Sequence, residues 1–135
     1  MRIEHVAVAV EDLDAAIAHF RDAWSLETSH RERVEDQGVE EAMLPLGDGF
    51  LQLIAPVGGD SAVARFLERR GEGLHHIAIE VDDLPATLER LKSSGVSLID
   101  ESPRVGGRGH SVAFVHPRSS LGVLVELVQS SVAPE

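Results

Sequence analysis

Two histidines, a glutamine and a glutamate occupy matching places in a chain that repeats itself. Residues 3–13 read Ile-Glu-His-Val-Ala-Val-Ala-Val-Glu-Asp-Leu and residues 74–84 read Leu-His-His-Ile-Ala-Ile-Glu-Val-Asp-Asp-Leu, which sets His5 on His76. Further along each copy, Phe50-Leu51-Gln52-Leu53-Ile54 corresponds to Leu124-Val125-Glu126-Leu127-Val128, which sets Gln52 on Glu126. A polar side chain in the middle of an apolar strand is costly to bury without a partner. His5, Gln52, His76 and Glu126 therefore form a candidate His₂-Gln-Glu set. Two neutral imidazoles and two oxygen donors suit a divalent ion such as Co²⁺, Mn²⁺, Zn²⁺, Ni²⁺ or Fe²⁺, with positions left open for substrate. The plainer reading of any one of them is an inward polar group satisfied by backbone or water. Recurrence of all four at equivalent positions favours the metal.

Other groups carry less. Glu40 and Glu41 follow Gln37-Gly38-Val39 on a strand, so one faces inward and the other outward, and alternation alone does not choose between them. His75 points away from His76 on a strand and reads as a surface or supporting hydrogen-bonding group. His19 reads as solvated, and His30 and His110 receive no role. His116-Pro117 reads as a strand end, since proline interrupts a ladder. Arg104, Arg108 and Arg118 lie near glycine-rich loops or turns and read as solvated, with a local anion site as the alternative.

The elements that must position these groups are legible in both copies. Residues 3–10 alternate around valine as a strand, and Asp12 caps a helix whose Leu13, Ala16, Ile17 and Phe20 share a face. Asp83 plays the same part in the second copy, with Pro85 acceptable in the first turn and Gly95 as a stop. Short strands follow around 26–34, 39–46 and 50–55 in one copy, and 97–100, 111–116 and 122–128 in the other. A helical linker at 61–70, capped by Asp60 or Ser61 and ended by Gly71, joins them. The expected fold is α+β, two tandem β-α-β-β-β modules (about 1–58 and 73–130) forming one domain over 1–135, a curled mixed sheet around a metal cleft.

Composition bounds the partners. The 135 residues carry a formal net charge of −11, which argues against non-specific nucleic-acid binding. No cysteine is present, so disulfides and thiolate ligands are excluded. No apolar run approaches the roughly 20 residues that span a bilayer, and Met1-Arg2 leads directly into a strand. A cytoplasmic location without membrane contact is the expectation.

Several segments in order carry a resemblance: Ile3-Glu4-His5-Val6-Ala7, His30-Arg31-Glu32 followed by Gln37-Gly38-Val39-Glu40-Glu41, and Leu74-His75-His76-Ile77-Ala78. To these add Ala113-Phe114-Val115-His116-Pro117-Arg118 and Gly122-Val123-Leu124-Val125-Glu126-Leu127. From Ile3 to Gln129 the chain resembles the methylmalonyl-CoA epimerases of the vicinal oxygen chelate superfamily. One departure is Leu121, bulkier than the small or polar residue expected before Gly122.

The resemblance implies metal ligation by His5, Gln52, His76 and Glu126, with Co²⁺ expected and Mn²⁺, Zn²⁺ or Ni²⁺ as alternatives. It implies catalysis by Glu41 and Glu126, one removing the α-proton of methylmalonyl-CoA and the other delivering a proton to the opposite face. A homodimer is expected from the module size and sheet edges. The rival expectations on the same scaffold are a glyoxalase-type lyase or isomerase and a small-molecule-binding resistance protein. An extradiol dioxygenase is disfavoured, because Gln52 adds a fourth ligand and Glu41 a second carboxylate.

Overall fold

Among the described residues, alternating apolar side chains and well-placed caps lay down eight strands and three α-helices. The structure is a computed structural model, and it describes residues 1–130. The first copy runs β1 (Arg2–Ala9), α1 (Leu13–Trp24), β2 (His30–Val34), β3 (Val39–Leu46) and β4 (Gly49–Pro56). Next come α2 (Ala62–Arg70) and the second copy: β5 (Gly73–Glu80), α3 (Leu84–Ser93), β6 (Arg104–Val105), β7 (Ser111–Val115) and β8 (Val125–Gln129). The α+β expectation holds. The expected caps are the observed ones: the Asp12, Ser61 and Asp83 side chains accept from the backbone N–H of Ala15, Ala64 and Ala86. Each satisfies a helix donor that would otherwise be orphaned.

Contacts divide the chain into two units, one of residues 5–75 and one of residues 1–4 with 76–135. In the unit of residues 5–75, β1 pairs parallel with β4, and β3 pairs antiparallel with both β4 and β2. One face of this sheet buries Ala42, Leu44, Leu53 and Ala55 against Leu13, Ala16, Ile17 and Phe20 of α1. The other face buries Ala7, Ala9, Val39 and Ile54 against Val63, Phe66 and Leu67 of α2. Gly38, at φ 65°, closes the 3₁₀ turn that leads into β3, and a Cβ there would stand 3.3 Å from Ser61 Cβ. A left-handed backbone in so tight a place is why glycine precedes β3.

In the second unit β5 pairs parallel with β8, and β7 pairs antiparallel with β8 and β6. Ile79, Ala113, Val115, Val125 and Leu127 pack under Leu84, Leu88 and Leu91 of α3. The strand expected over 97–100 is corrected. Only Leu98 forms a bridge, to Val115, and the edge strand is the two-residue β6. The physical reason is Asp100, whose side chain takes the Phe114 N–H that a ladder carbonyl would otherwise take. Leu121, in the β7–β8 connection, is fully exposed with φ 57°. Among the described residues no helix is long and apolar enough to cross a membrane.

Candidate active site

The register of the first unit decides which side chains meet. His5 lies opposite Phe50 and Ala7 opposite Gln52, so His5 and Gln52 share one face of the sheet. Met43 pairs with Gln52 and Glu41 with Ile54, which brings Met43 and Glu41 to that face and leaves Glu40 on the other. Glu40 pairs there with Arg31, whose Nε is 3.1 Å away. The choice between Glu40 and Glu41 that alternation left open is thereby made. His5, Glu41 and Gln52 are all buried, at 3%, 4% and 5% exposure.

Gln52 Nε2 donates to Glu41 Oε2 at 2.5 Å and lies 3.6 Å from Met43 Sδ. The other end of the amide, Oε1, is buried with no hydrogen-bond partner among the described residues. Such an orphaned acceptor costs about 1–3 kcal/mol. The amide is held in this orientation because its reverse would set oxygen against carboxylate. Its carbonyl oxygen is the atom that a glutamine offers to a divalent cation.

In the second unit Ala78 pairs with Glu126 and Glu126 with Phe114, so His76, Glu126 and Phe114 share a face. His76 Nε2 lies 3.3 Å from Glu126 Oε1, and both side chains are buried. Donors that share one ion through bonds of about 2.1 Å sit roughly 3 Å apart, so the pair has the spacing of neighbouring ligands. The Phe114 ring meets His76 edge-on at 5.6 Å and fixes one side of the imidazole. Each unit thus presents one buried histidine and one buried oxygen donor on a single face, and the Gln52 oxygen is of the kind that suits a divalent cation. Neutral nitrogen and oxygen donors without thiolate match a first-row divalent ion.

The remaining sequence candidates sort by contact. His75 packs edge-on against Phe66 of α2 at 4.9 Å, and His19 is exposed. His116 Nδ1 accepts from the Arg118 N–H, and a 3₁₀ turn begins at Pro117, the strand end expected there. Arg118 is exposed. Arg108 departs from a solvated arginine: it donates through Nη1 and Nη2 to both oxygens of Glu4, at 3.1 and 2.8 Å, and Glu4 is only 3% exposed. Burial, and next the Arg108 charge, push the nearby His110 below its ordinary 6.5, against the pull of Glu4, Glu80 and Glu126. Arg104 lies over the Phe114 ring and 3.6 Å from Asp100. Sequence reasoning also passed over His30 and Glu32, whose Nε2 and Oε1 stand 2.7 Å apart. Their spacing of two on a strand is the signal that could have paired them.

The model of the Glyoxalase/Bleomycin resistance protein/Dioxygenase superfamily matches residues 4–114. The chain is 38% identical to the ethylmalonyl-CoA/methylmalonyl-CoA epimerase of Cereibacter sphaeroides, across 95% of this chain and 97% of that one. It is 37% identical to the mitochondrial methylmalonyl-CoA epimerase of Homo sapiens, across 96% of this chain and 74% of the relative. Among solved structures, a variant methylmalonyl-CoA epimerase of Streptomyces coelicolor in complex with 2-nitronate-propionyl-CoA aligns with a TM-score of 0.95. That protein is 39% identical, with 100% of this chain and 98% of the other covered.

Proposed function

The chain belongs to the Glyoxalase/Bleomycin resistance protein/Dioxygenase superfamily, and from this we propose that it is a methylmalonyl-CoA epimerase. The observation that carries the chemistry is the buried Glu41 carboxylate, hydrogen-bonded by an amide whose own oxygen has no partner. The substrate rests on the near-full-length relatives that act on methylmalonyl-CoA.

Members of the superfamily typically bind a divalent metal. His5, Gln52, His76 and Glu126 would hold it, with Co²⁺ as the expected ion. When bound, the ion supplies Lewis-acid stabilisation of negative charge on the substrate oxygens. The carbon between a thioester and a carboxylate is a weak acid, and its inversion needs a base on one face and an acid on the other. Glu41 takes the α-proton: the C–H bond breaks, an O–H bond forms, and the electron pair moves into the thioester carbonyl. Glu126 in its protonated form delivers a proton to the opposite face of the planar enolate. In the other direction the two exchange parts. Gln52 keeps the Glu41 carboxylate aimed by its 2.5 Å hydrogen bond. The working form is taken to be a cytoplasmic homodimer.

The test is direct. Protein reconstituted with Co²⁺ is given each pure epimer of methylmalonyl-CoA and of ethylmalonyl-CoA in deuterium oxide. Interconversion with deuterium at the α-carbon, abolished by a chelator and restored by added metal, is the expected result. Metal-loaded protein that converts neither thioester overturns it.

A further inference from the structure

A buried base has to release the proton it takes. Glu41 is 4% exposed, so water reaches it poorly. One of its hydrogen-bonding partners, Gln52 Nε2, is a donor and cannot accept a proton. Across the β2–β3 ladder, however, Glu41 stands directly opposite Glu32. Directly opposed residues in an antiparallel pair have Cβ atoms about 4.5–5.5 Å apart, and like charges placed so destabilise the sheet. Stability alone disfavours two carboxylates there, so their juxtaposition calls for a functional account. Glu32 Oε1 in turn lies 2.7 Å from His30 Nε2 on the same face of the same strand. Side-chain exposure rises to 29% at Glu32 and 39% at His30.

We infer that Glu32 and His30 carry the proton taken by Glu41 out to solvent along the edge strand of its sheet. This rests on the proposed epimerase activity. The proton leaves the Glu41 O–H for a Glu32 carboxylate oxygen, restoring the Glu41 carboxylate. It then passes from Glu32 to His30 Nε2, and the imidazolium so formed loses its Nδ1 proton to water. Charge and protons balance at each transfer; His30 is left as its Nε2–H tautomer, and proton exchange with water at the part-exposed ring restores the Nδ1–H form before the next turnover. Glu32 and His30 act through Glu41 and do not touch substrate.

The experiment starts from each pure epimer in deuterium oxide and stops at partial conversion. It reads deuterium in the remaining starting epimer relative to product formed. With the relay intact, Glu41 exchanges its proton during the life of the enolate and returns deuterium, so one epimer shows label in the unreacted pool. Glu32→Gln and, independently, His30→Asn lower that ratio several-fold for this epimer alone, while Glu32→Asp retains most of it. A merely structural role would slow both directions and leave the ratio unchanged. An unchanged ratio in both variants, an equal loss from both epimers, or no label in either unreacted pool of the wild type overturns the relay. A metal-loaded wild type that does not epimerise overturns the activity itself, and is told apart by the absence of product.

Discussion

Glu41 and Gln52 are joined by a 2.5 Å hydrogen bond whose donor is an amide with its oxygen left unpartnered in the interior. One side chain thus faces a carboxylate with its nitrogen and keeps its oxygen free of protein partners among the described residues, as the proposed base and metal ligand require. The arrangement couples two functions that sequence spacing shows only separately.

Glu41→Gln keeps the shape of the side chain and removes its capacity to accept the α-proton. The expected loss in kcat is about 10²–10⁴-fold, the usual contribution of a positioned acid or base. Metal content by elemental analysis and the thermal transition should stay near those of the wild type. Full activity in this variant would rule out Glu41 as a proton carrier.

Gln52→Ala removes both ends of the shared amide. Bound metal should fall, and the buried Glu41 carboxylate loses a donor at a cost of about 1–3 kcal/mol in the metal-free protein. Metal titration and denaturant unfolding read the two effects separately. Unchanged metal affinity would remove Gln52 from the ligand set.

The Glu4–Arg108 pair makes a prediction about stability. Arg108→Ala removes the two-pronged partner of a carboxylate that is 3% exposed, and breaking a buried pair from one side costs roughly 3–5 kcal/mol. The double variant Glu4→Gln with Arg108→Met should recover most of the loss. Chemical denaturation of the three proteins provides the comparison, and an Arg108→Ala variant as stable as the wild type would contradict it.

His110 adds a pH dependence. Burial and the Arg108 charge depress its folded pKa below the ordinary 6.5. As pH falls through 6.5 the unfolded chain takes up this proton first, so folded stability declines below 6.5 and levels off under the folded pKa. Relative to His110→Asn, the wild type should lose stability as pH drops through that window and show a constant difference above it. A flat difference between about pH 5 and 8 would contradict the assignment.

Much of this was legible in the chain because local signals and the repeat agree. Asp12, Ser61 and Asp83 each announce a helix that forms, and the doubled strand sets His5 and His76 at equivalent positions of the repeat. Period-two alternation could not choose between Glu40 and Glu41, since that depends on register; the pairing of Glu41 with Ile54 decides it. The strand expected at 97–100 failed because the Asp100 side chain competes for a backbone donor. Glu4 and Arg108 are 104 positions apart, and no spacing rule reaches that far.

Met43 has a consequence for survival under oxidative stress. The chain has no cysteine, and its methionines are Met1 and Met43, of which only Met43 is buried. Oxidation turns a thioether into a sulfoxide, whose oxygen is a strong acceptor. At Met43, 3.6 Å from Gln52 Nε2, that oxygen would draw the shared amide away from Glu41. Of the two sulfur atoms, the one beside Gln52 is the buried one, and the packing that excludes solvent from it also shields it from peroxide.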